Sequence, residues 1–381
     1  MKKIKIIADD KIPFLKGELE PFAGIHYLAP SQITKETVKD ADALLIRTRT
    51  KCDSKLLENS SIKFIGTATI GFDHIDTVYC ESKGIKWINA PGCNSSSVKQ
   101  YLASALISLA RVKKVKLEEM TIGIVGVGNV GSKVEKIANI LGMNVLLNDP
   151  PRERNEKSEK FVSLDYLVEK SDIITFHVPL KMNGVDKTFH LADRSFFGKF
   201  SNDKIFINTS RGEVADTSAL KEAIKNKRIS TCVLDVWENE PAINLDLLNE
   251  VEIATPHIAG YSVEGKANGT AACVNALNIF FDLGLEPNWY PEHLPSPNKS
   301  KEIYIDCLGK SKHEILYECI NSTYNIMEDD YRLRKSISDF EKQRAEYPIR
   351  REFNYYQVHL INSDESIKSA INELGFNLKI K

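Results

Sequence analysis

Short apolar runs separated by longer mixed stretches organise the first hundred residues. Ile4–Ala8, Ala43–Ile46, Phe64–Ala68 and Ile85–Ile88 are each of strand length and lie 20 to 40 residues apart. That interval leaves room for a helical return, so the pattern predicts βαβ units and a parallel sheet. From Val98 to Val112 the period changes. Apolar side chains at Val98, Tyr101, Leu102, Ala105, Leu106 and Leu109 follow the 3.6-residue repeat of a buried helix. A second strand-and-helix series begins at Thr121. Its expected strands are Thr121–Val125, Asn144–Leu147, Ile173–His177, Lys204–Asn208, Thr231–Leu234 and Val251–Ala254. Helices are expected after Gly128, at Ser163 and at Thr217, and another over Ser262–Leu283. Gly284–Ser300 holds prolines 287, 291, 295 and 297 and reads as a linker or extended arm. Beyond it, strand-like Ile303–Cys307 and Tyr355–Leu360 flank helical Lys312–Tyr317 and a charged stretch, enough for a small α+β domain.

Composition narrows the function classes. With 51 basic and 52 acidic side chains the net charge is -1, so nothing predicts a nucleic-acid or membrane partner. No apolar stretch reaches the ~18 residues of a membrane span. Charges interrupt the N-terminal run Met1–Asp10, which therefore lacks a signal-peptide core. The seven cysteines are scattered, with no spacing suited to zinc, so reduced thiols in a cytoplasmic protein without a metal are expected. Neither repeats nor low-complexity tracts occur.

Candidate chemistry enters at Gly126-Val-Gly128-Asn129-Val130-Gly131, a GxGxxG. The pattern alone is weak. Here it follows an apolar strand, opens an amphipathic helix and precedes a second strand ending at Asp149. Gly126 permits the tight turn, Gly128 lets backbone approach a pyrophosphate, and Gly131 lets helix pack on strand. The helix start offers free N–H groups to the anion. Asp149 lies 18 residues past Gly131, where a carboxylate accepts from ribose hydroxyls and repels a 2′-phosphate. NAD is favoured over NADP, with Arg152 and Arg154 as the nearest contrary signal.

Three segments at expected strand ends carry reactive side chains: Ile207–Gly212 with Arg211, Leu234–Pro241 with Glu240, and Thr255–Tyr261 with His257. Taken singly each has a bland reading, as a surface arginine, a Glu-Pro turn and an interior histidine. Together they match the oxidation of a 2-hydroxy acid. A guanidinium fork holds the carboxylate, an imidazole takes the hydroxyl proton, and a carboxylate orients the imidazole. His74, His177 and His190 are weaker candidates.

In these motifs and their order the chain resembles the D-isomer-specific 2-hydroxyacid dehydrogenases. Gly66–His74, Ala90–Asn94, Asp149–Arg152 and His257–Lys266 point to a branch acting on a four-carbon phosphorylated acid. The resemblance implies an α/β fold: two Rossmann-like parallel-sheet domains with a cleft between them, plus a small C-terminal α+β dimerisation domain. Residues 1–97 with 262–285 would bind substrate, 98–261 would bind NAD, and 286–381 would make a homodimer. Arg211, Glu240 and His257 would be catalytic. Cofactor contacts would fall at Gly126, Gly128, Asn129, Val130, Gly131, Asp149, Val178, Thr209, Ser210, Asp235 and Gly260. Substrate contacts would fall at Thr48, Thr69 and Tyr261. Thr48 stands where some relatives carry Ser. Val178 stands where a Thr can occur, so its contact would come from backbone. Arg47, with Arg49, is our expectation for the phosphate, since both follow an apolar strand. Two alternatives stay open: a dehydrogenase of another 2-hydroxy acid such as D-3-phosphoglycerate, and a non-catalytic NAD-sensing protein.

Overall fold

One parallel sheet comprises β1 Lys5–Asp9, β2 Gly24–Leu28, β3 Ala43–Ile46, β4 Phe64–Thr67 and β5 Lys86–Ile88, in the order β2-β1-β3-β4-β5, and the four early apolar runs supply all of these but β2. The computed structural model describes residues 3–201 and 203–379. Every residue of β3 and β4 is buried, which is why those strands read as unbroken apolar runs. The edge strand β2 buries none of its five residues, and the apolar pattern did not announce it. The helix Val263–Phe281 belongs to this unit although it lies far along the chain. Two glycines let it approach β4. A Cβ on Gly269 would stand 2.6 Å from the Ala68 carbonyl oxygen, and one on Gly66 3.2 Å from Cys273 Sγ. The stretch after the helix is tied down, because Asn275 brackets the backbone of Trp289 and the Trp289 indole donates to Glu18 at 3.0 Å.

The second compact unit joins Ser95–Tyr261 to the tail from Ser296. Its large sheet comprises β6 Thr121–Val125, β7 Asn144–Asn148, β8 Ile173–Phe176, β9 Lys204–Asn208, β10 Ile229–Leu234 and β11 Ile253–Ala254. All are parallel, in the order β11-β10-β9-β8-β6-β7, with one further bridge from Leu147 to Phe161 outside β7. The chain therefore goes out from β6 to one edge and returns at β8, the switch point where open α/β sheets bind ligands. The helix Ser95–Lys113 starts three residues before the expected Val98 and buries Tyr101, Leu102, Leu106 and Leu109.

The tail adds β12 Glu302–Asp306, β13 Gln357–Ile361 and β14 Asn377–Lys379, parallel throughout, with helices in both connections. Ile315, Ile320 and Ile371 of the tail share one apolar cluster with Ile107, Leu117 and Ile137. No helix among the described residues is long and apolar enough to cross a membrane.

Candidate active site

The glycine turn has the form a dinucleotide needs. Gly126 takes φ +87°, and a Cβ there would stand 2.7 Å from the His177 carbonyl oxygen and from Val178. The loop thus rests against residues 177–178 at the end of β8. A Cβ on Gly131 would overlap the Gly126 carbonyl, whereas one on Gly128 would meet nothing within 4 Å. Gly128 is therefore not required by packing, and open space lies where its side chain would be. The helix Gly131–Ile140 begins at Val130 with no side-chain cap, and Ser132 and Lys133 N–H turn back to the Gly128 and Val130 carbonyls at 3.0 and 2.9 Å, so the positive end of the helix faces the glycine turn. Asn129 is exposed beside them. Asp149 directly follows β7, accepts from Val127 N–H at 2.8 Å and caps the following helix through Arg152 N–H. The guanidinium of Arg152 is itself bound to the Val127 carbonyl and to Glu156. These residues fit a dinucleotide.

Next along the sheet, Thr209 bonds His177 Nδ1 at 3.2 Å and Thr175 bonds its Nε2 at 3.0 Å. Burial pushes the His177 imidazolium down to about 3, so the ring is neutral. Ser210 is buried, its N–H and hydroxyl both donating to Asn208. Arg211 donates to the Ser210 carbonyl at 2.8 Å. Gly212 is the key to its placement: a Cβ there would overlap the Trp237 carbonyl, so only glycine lets this loop lie against residues 237–238.

Those residues lead to Glu240. One carboxylate oxygen accepts from Trp237 N–H at 2.9 Å and the other bonds His257 Nδ1 at 2.8 Å. Burial pushes the Glu240 carboxyl up, but the His257 ring and the Trp237 N–H outweigh it and hold it below its ordinary range. His257 adopts a left-handed backbone, φ +55°, which costs on the order of 1 to 2 kcal/mol for a side chain of this kind. The loop compensates through Asp235. Its backbone carbonyl accepts His257 N–H at 2.7 Å, and its carboxylate accepts from Thr255, Ile258 N–H and Ala259 N–H. Burial, the dominant influence, pushes the Asp235 carboxyl up against the pull of His257 and these donors. With three of about four acceptor positions used, Asp235 is first of all the anchor of the loop. Tyr101 bonds Thr255 at 2.8 Å, and Trp237 Nε1 donates to the Thr255 carbonyl at 3.0 Å.

The tail holds the same loop from another side, which the sequence reading did not foresee. Buried Arg350 donates to the Ala259 carbonyl at 2.5 Å, next to Gly260. Tyr347 packs edge-on against Tyr261 with ring centroids 5.8 Å apart, and Arg344 stands over the Tyr261 ring at 5.8 Å. Asp330 accepts from Ala254 N–H at the end of β11. No local motif marks these residues, because their role arises only from packing 70 or more positions along the chain.

The remaining expected contacts lie in the first unit. Thr48 is exposed after β3, and the Thr69 hydroxyl bonds Thr67 at 2.7 Å and Gly71 O at 2.9 Å. Arg47 donates to Lys11 O at 3.3 Å. Its charge and that of Arg49 also act on buried Asp9, whose carboxyl is nevertheless raised by desolvation. The positive charge expected for the phosphate is therefore partly engaged within its own unit.

Residues 96–259 match the NAD binding domain of the D-isomer specific 2-hydroxyacid dehydrogenases, and residues 296–375 match a domain of unknown function. Curated relatives include erythronate-4-phosphate dehydrogenase of Bacteroides thetaiotaomicron, 51% identical over 93% of this chain and 99% of that protein. That of Porphyromonas gingivalis is 41% identical over 95% and 97%. Among solved structures, the D-lactate dehydrogenase of Aquifex aeolicus complexed with NAD and lactic acid superposes with a TM-score of 0.61 at 27% identity, covering 73% of this chain and 95% of that one. NAD-bound 3-phosphoglycerate dehydrogenase of Entamoeba histolytica gives 0.62 at 24%, over 74% and 96%.

Proposed function

Since the chain belongs to the D-isomer specific 2-hydroxyacid dehydrogenases, and within them to the erythronate-4-phosphate dehydrogenases, we propose that it oxidises 4-phospho-D-erythronate with NAD. The product is 3-hydroxy-2-oxo-4-phosphooxybutanoate, and the reaction is a step of pyridoxal 5′-phosphate biosynthesis. The observation that carries the chemistry is the 2.8 Å bond between Glu240 and His257 Nδ1.

That bond fixes the tautomer. With Nδ1–H donating to the carboxylate, Nε2 keeps its lone pair and can accept the C2 hydroxyl proton. NAD, when bound, supplies the two-electron acceptor for the hydrogen that leaves C2. Glu240 then balances the imidazolium charge. Arg211 binds the substrate carboxylate and sets C2 in place. Thr48, Thr69 and Tyr261 contact the substrate in this reading. Gly126, Gly128, Asn129, Val130, Gly131, Asp149, Val178, Thr209, Ser210, Asp235 and Gly260 face the cofactor, Val178 through backbone.

We also place the enzyme in the cytoplasm as a homodimer. All seven cysteines are free. Tyr304, Leu308 and Ile361 leave an apolar surface on the tail, 53 to 74% exposed. Sedimentation at micromolar protein would return a monomer if that assignment were wrong.

The function is tested by following nicotinamide absorbance with 4-phosphoerythronate, D-3-phosphoglycerate and lactate in parallel, with an added 2-oxo acid to reoxidise any retained NADH. Preference for the four-carbon phosphorylated acid, abolished by His257→Ala, is expected. Turnover confined to another acid would keep the chemistry and discard the substrate. Silence on every acid would favour an NAD-sensing protein.

A further inference from the structure

Three arginines of the tail cluster around Tyr347: Arg332, Arg344 and Arg350. Two are consumed by the fold. Arg332 pairs with buried Asp329, and buried Arg350 binds the Ala259 carbonyl while covering the Tyr324 ring at 4.5 Å. Arg344 differs. Among the described residues its one hydrogen bond runs from Nη1 to Glu341, 3.0 Å away and a third exposed. Its Nε has no partner there. The pair is a single N–H on one carboxylate oxygen, so an anion can compete for the rest of the guanidinium fork.

The location is telling. The guanidinium lies over Tyr261, four residues past His257, and its charge is among those that act on the Glu240 carboxylate. The proposed substrate carries a carboxylate and a phosphate, about three negative charges near neutrality. Arg211 accounts for the carboxylate. By ordinary bond lengths of ~1.5 Å the phosphorus lies on the order of 5 Å from C2, so a second cation is needed beside the first.

Resting on that functional reading, we propose that Arg344 is a specificity-determining residue that binds the substrate phosphate from the tail, with the Tyr261 ring beneath its guanidinium. The tail segment, matched only to a domain of unknown function, thereby takes part in substrate recognition. A planar fork over an aromatic face, exchanging Glu341 for phosphate oxygens, is geometry that arginine meets and lysine meets poorly.

The test compares kcat/KM for 4-phosphoerythronate and for unphosphorylated D-erythronate in the full chain, Arg344→Gln and Arg344→Lys. Thermal midpoint and NAD affinity serve as controls of integrity. We expect the preference for the phosphorylated acid to fall ten- to a hundredfold in Arg344→Gln, chiefly through KM, with Arg344→Lys intermediate. Inorganic phosphate should also inhibit the unaltered chain competitively and lose at least tenfold in affinity in the variants. Equal losses for both acids, or an unchanged preference, would overturn the assignment. Should Arg344→Gln not fold, Arg344→Lys decides alone, and an unaltered ratio and phosphate inhibition there overturn it. If the unaltered chain shows no preference for phosphate, the functional reading fails first and this inference with it.

Discussion

At the scale of single residues, the candidate site holds His257 in a left-handed backbone with the Glu240 carboxylate against its ring. Glu240 is, among the described residues, the one that bonds His257 Nδ1, while Trp237 N–H fixes its other oxygen. Glu240→Gln keeps the shape and an acceptor but removes the charge that balances the imidazolium. We expect kcat/KM to fall about a hundredfold or more with NAD affinity little changed, read by steady-state kinetics and cofactor titration. His177 offers a test of pH dependence. Its folded pKa of about 3 lies below the unfolded value near 6.5, so its contribution is fully present above pH ~6.5 and is lost as pH falls toward ~3. The slope is about 1.36 kcal/mol per pH unit at most, reduced by whatever water reaches the partly exposed ring. Urea midpoints at pH 8, 6 and 4.5 should decline less steeply in His177→Asn than in the unaltered chain. Parallel declines would assign the acid sensitivity to other groups.

At the scale of elements, the glycine turn separates packing from binding. Gly131 is pressed on the Gly126 carbonyl and Gly128 faces open space, although the two occupy one motif. Gly128→Ala should therefore leave the thermal midpoint within a degree or so while weakening NAD binding at least tenfold. Gly131→Ala should lower the midpoint by several degrees, since its Cβ has nowhere to go. Calorimetry with and without NAD separates the two, and a shared response would mean the turn acts as one unit. This motif was legible because its chemistry is local. So were the buried strands β3, β4, β6 and β9, whose apolar runs need no partner to be recognised. The strands that the apolar pattern does not announce, β2 and β14, bury none of their residues fully and carry little periodicity. Arg211, Glu240 and His257 stand out in the sequence through their positions at expected strand ends. Gly212, which brings the first of these against the 237–238 backbone, could be quoted from the sequence but not explained by it. The role of Arg344 and Arg350 was invisible for a plainer reason, since no pattern within the tail says which loop it will cover.

For the molecule as a whole, the tail acts as a brace on the sheet that carries His257. Asp330 accepts from Ala254 N–H at 2.8 Å and from Arg334 Nε at 2.9 Å, while Arg334 reaches the Leu248 and Val251 carbonyls. One carboxylate thus ties a tail helix, Ile326–Lys335, to both the end of β11 and the turn before it. From β11 the chain runs directly into the 255–259 loop, so slack at Ala254 is passed to His257 through three residues. Asp330→Ala leaves a buried N–H unsatisfied and an arginine unpaired. With Arg334 about a third exposed, the cost should be about 2 to 4 kcal/mol, below that of a fully buried pair. Arg334→Ala should cost less, and the double variant should show coupling of about 1 kcal/mol, because each single change already breaks the shared contact. If the tail is a brace for catalysis and not only for stability, Asp330→Ala should also lower kcat severalfold at temperatures well below its midpoint. A lowered midpoint with kcat intact would show that the 255–259 loop holds its shape through Asp235 and Arg350 without help from β11.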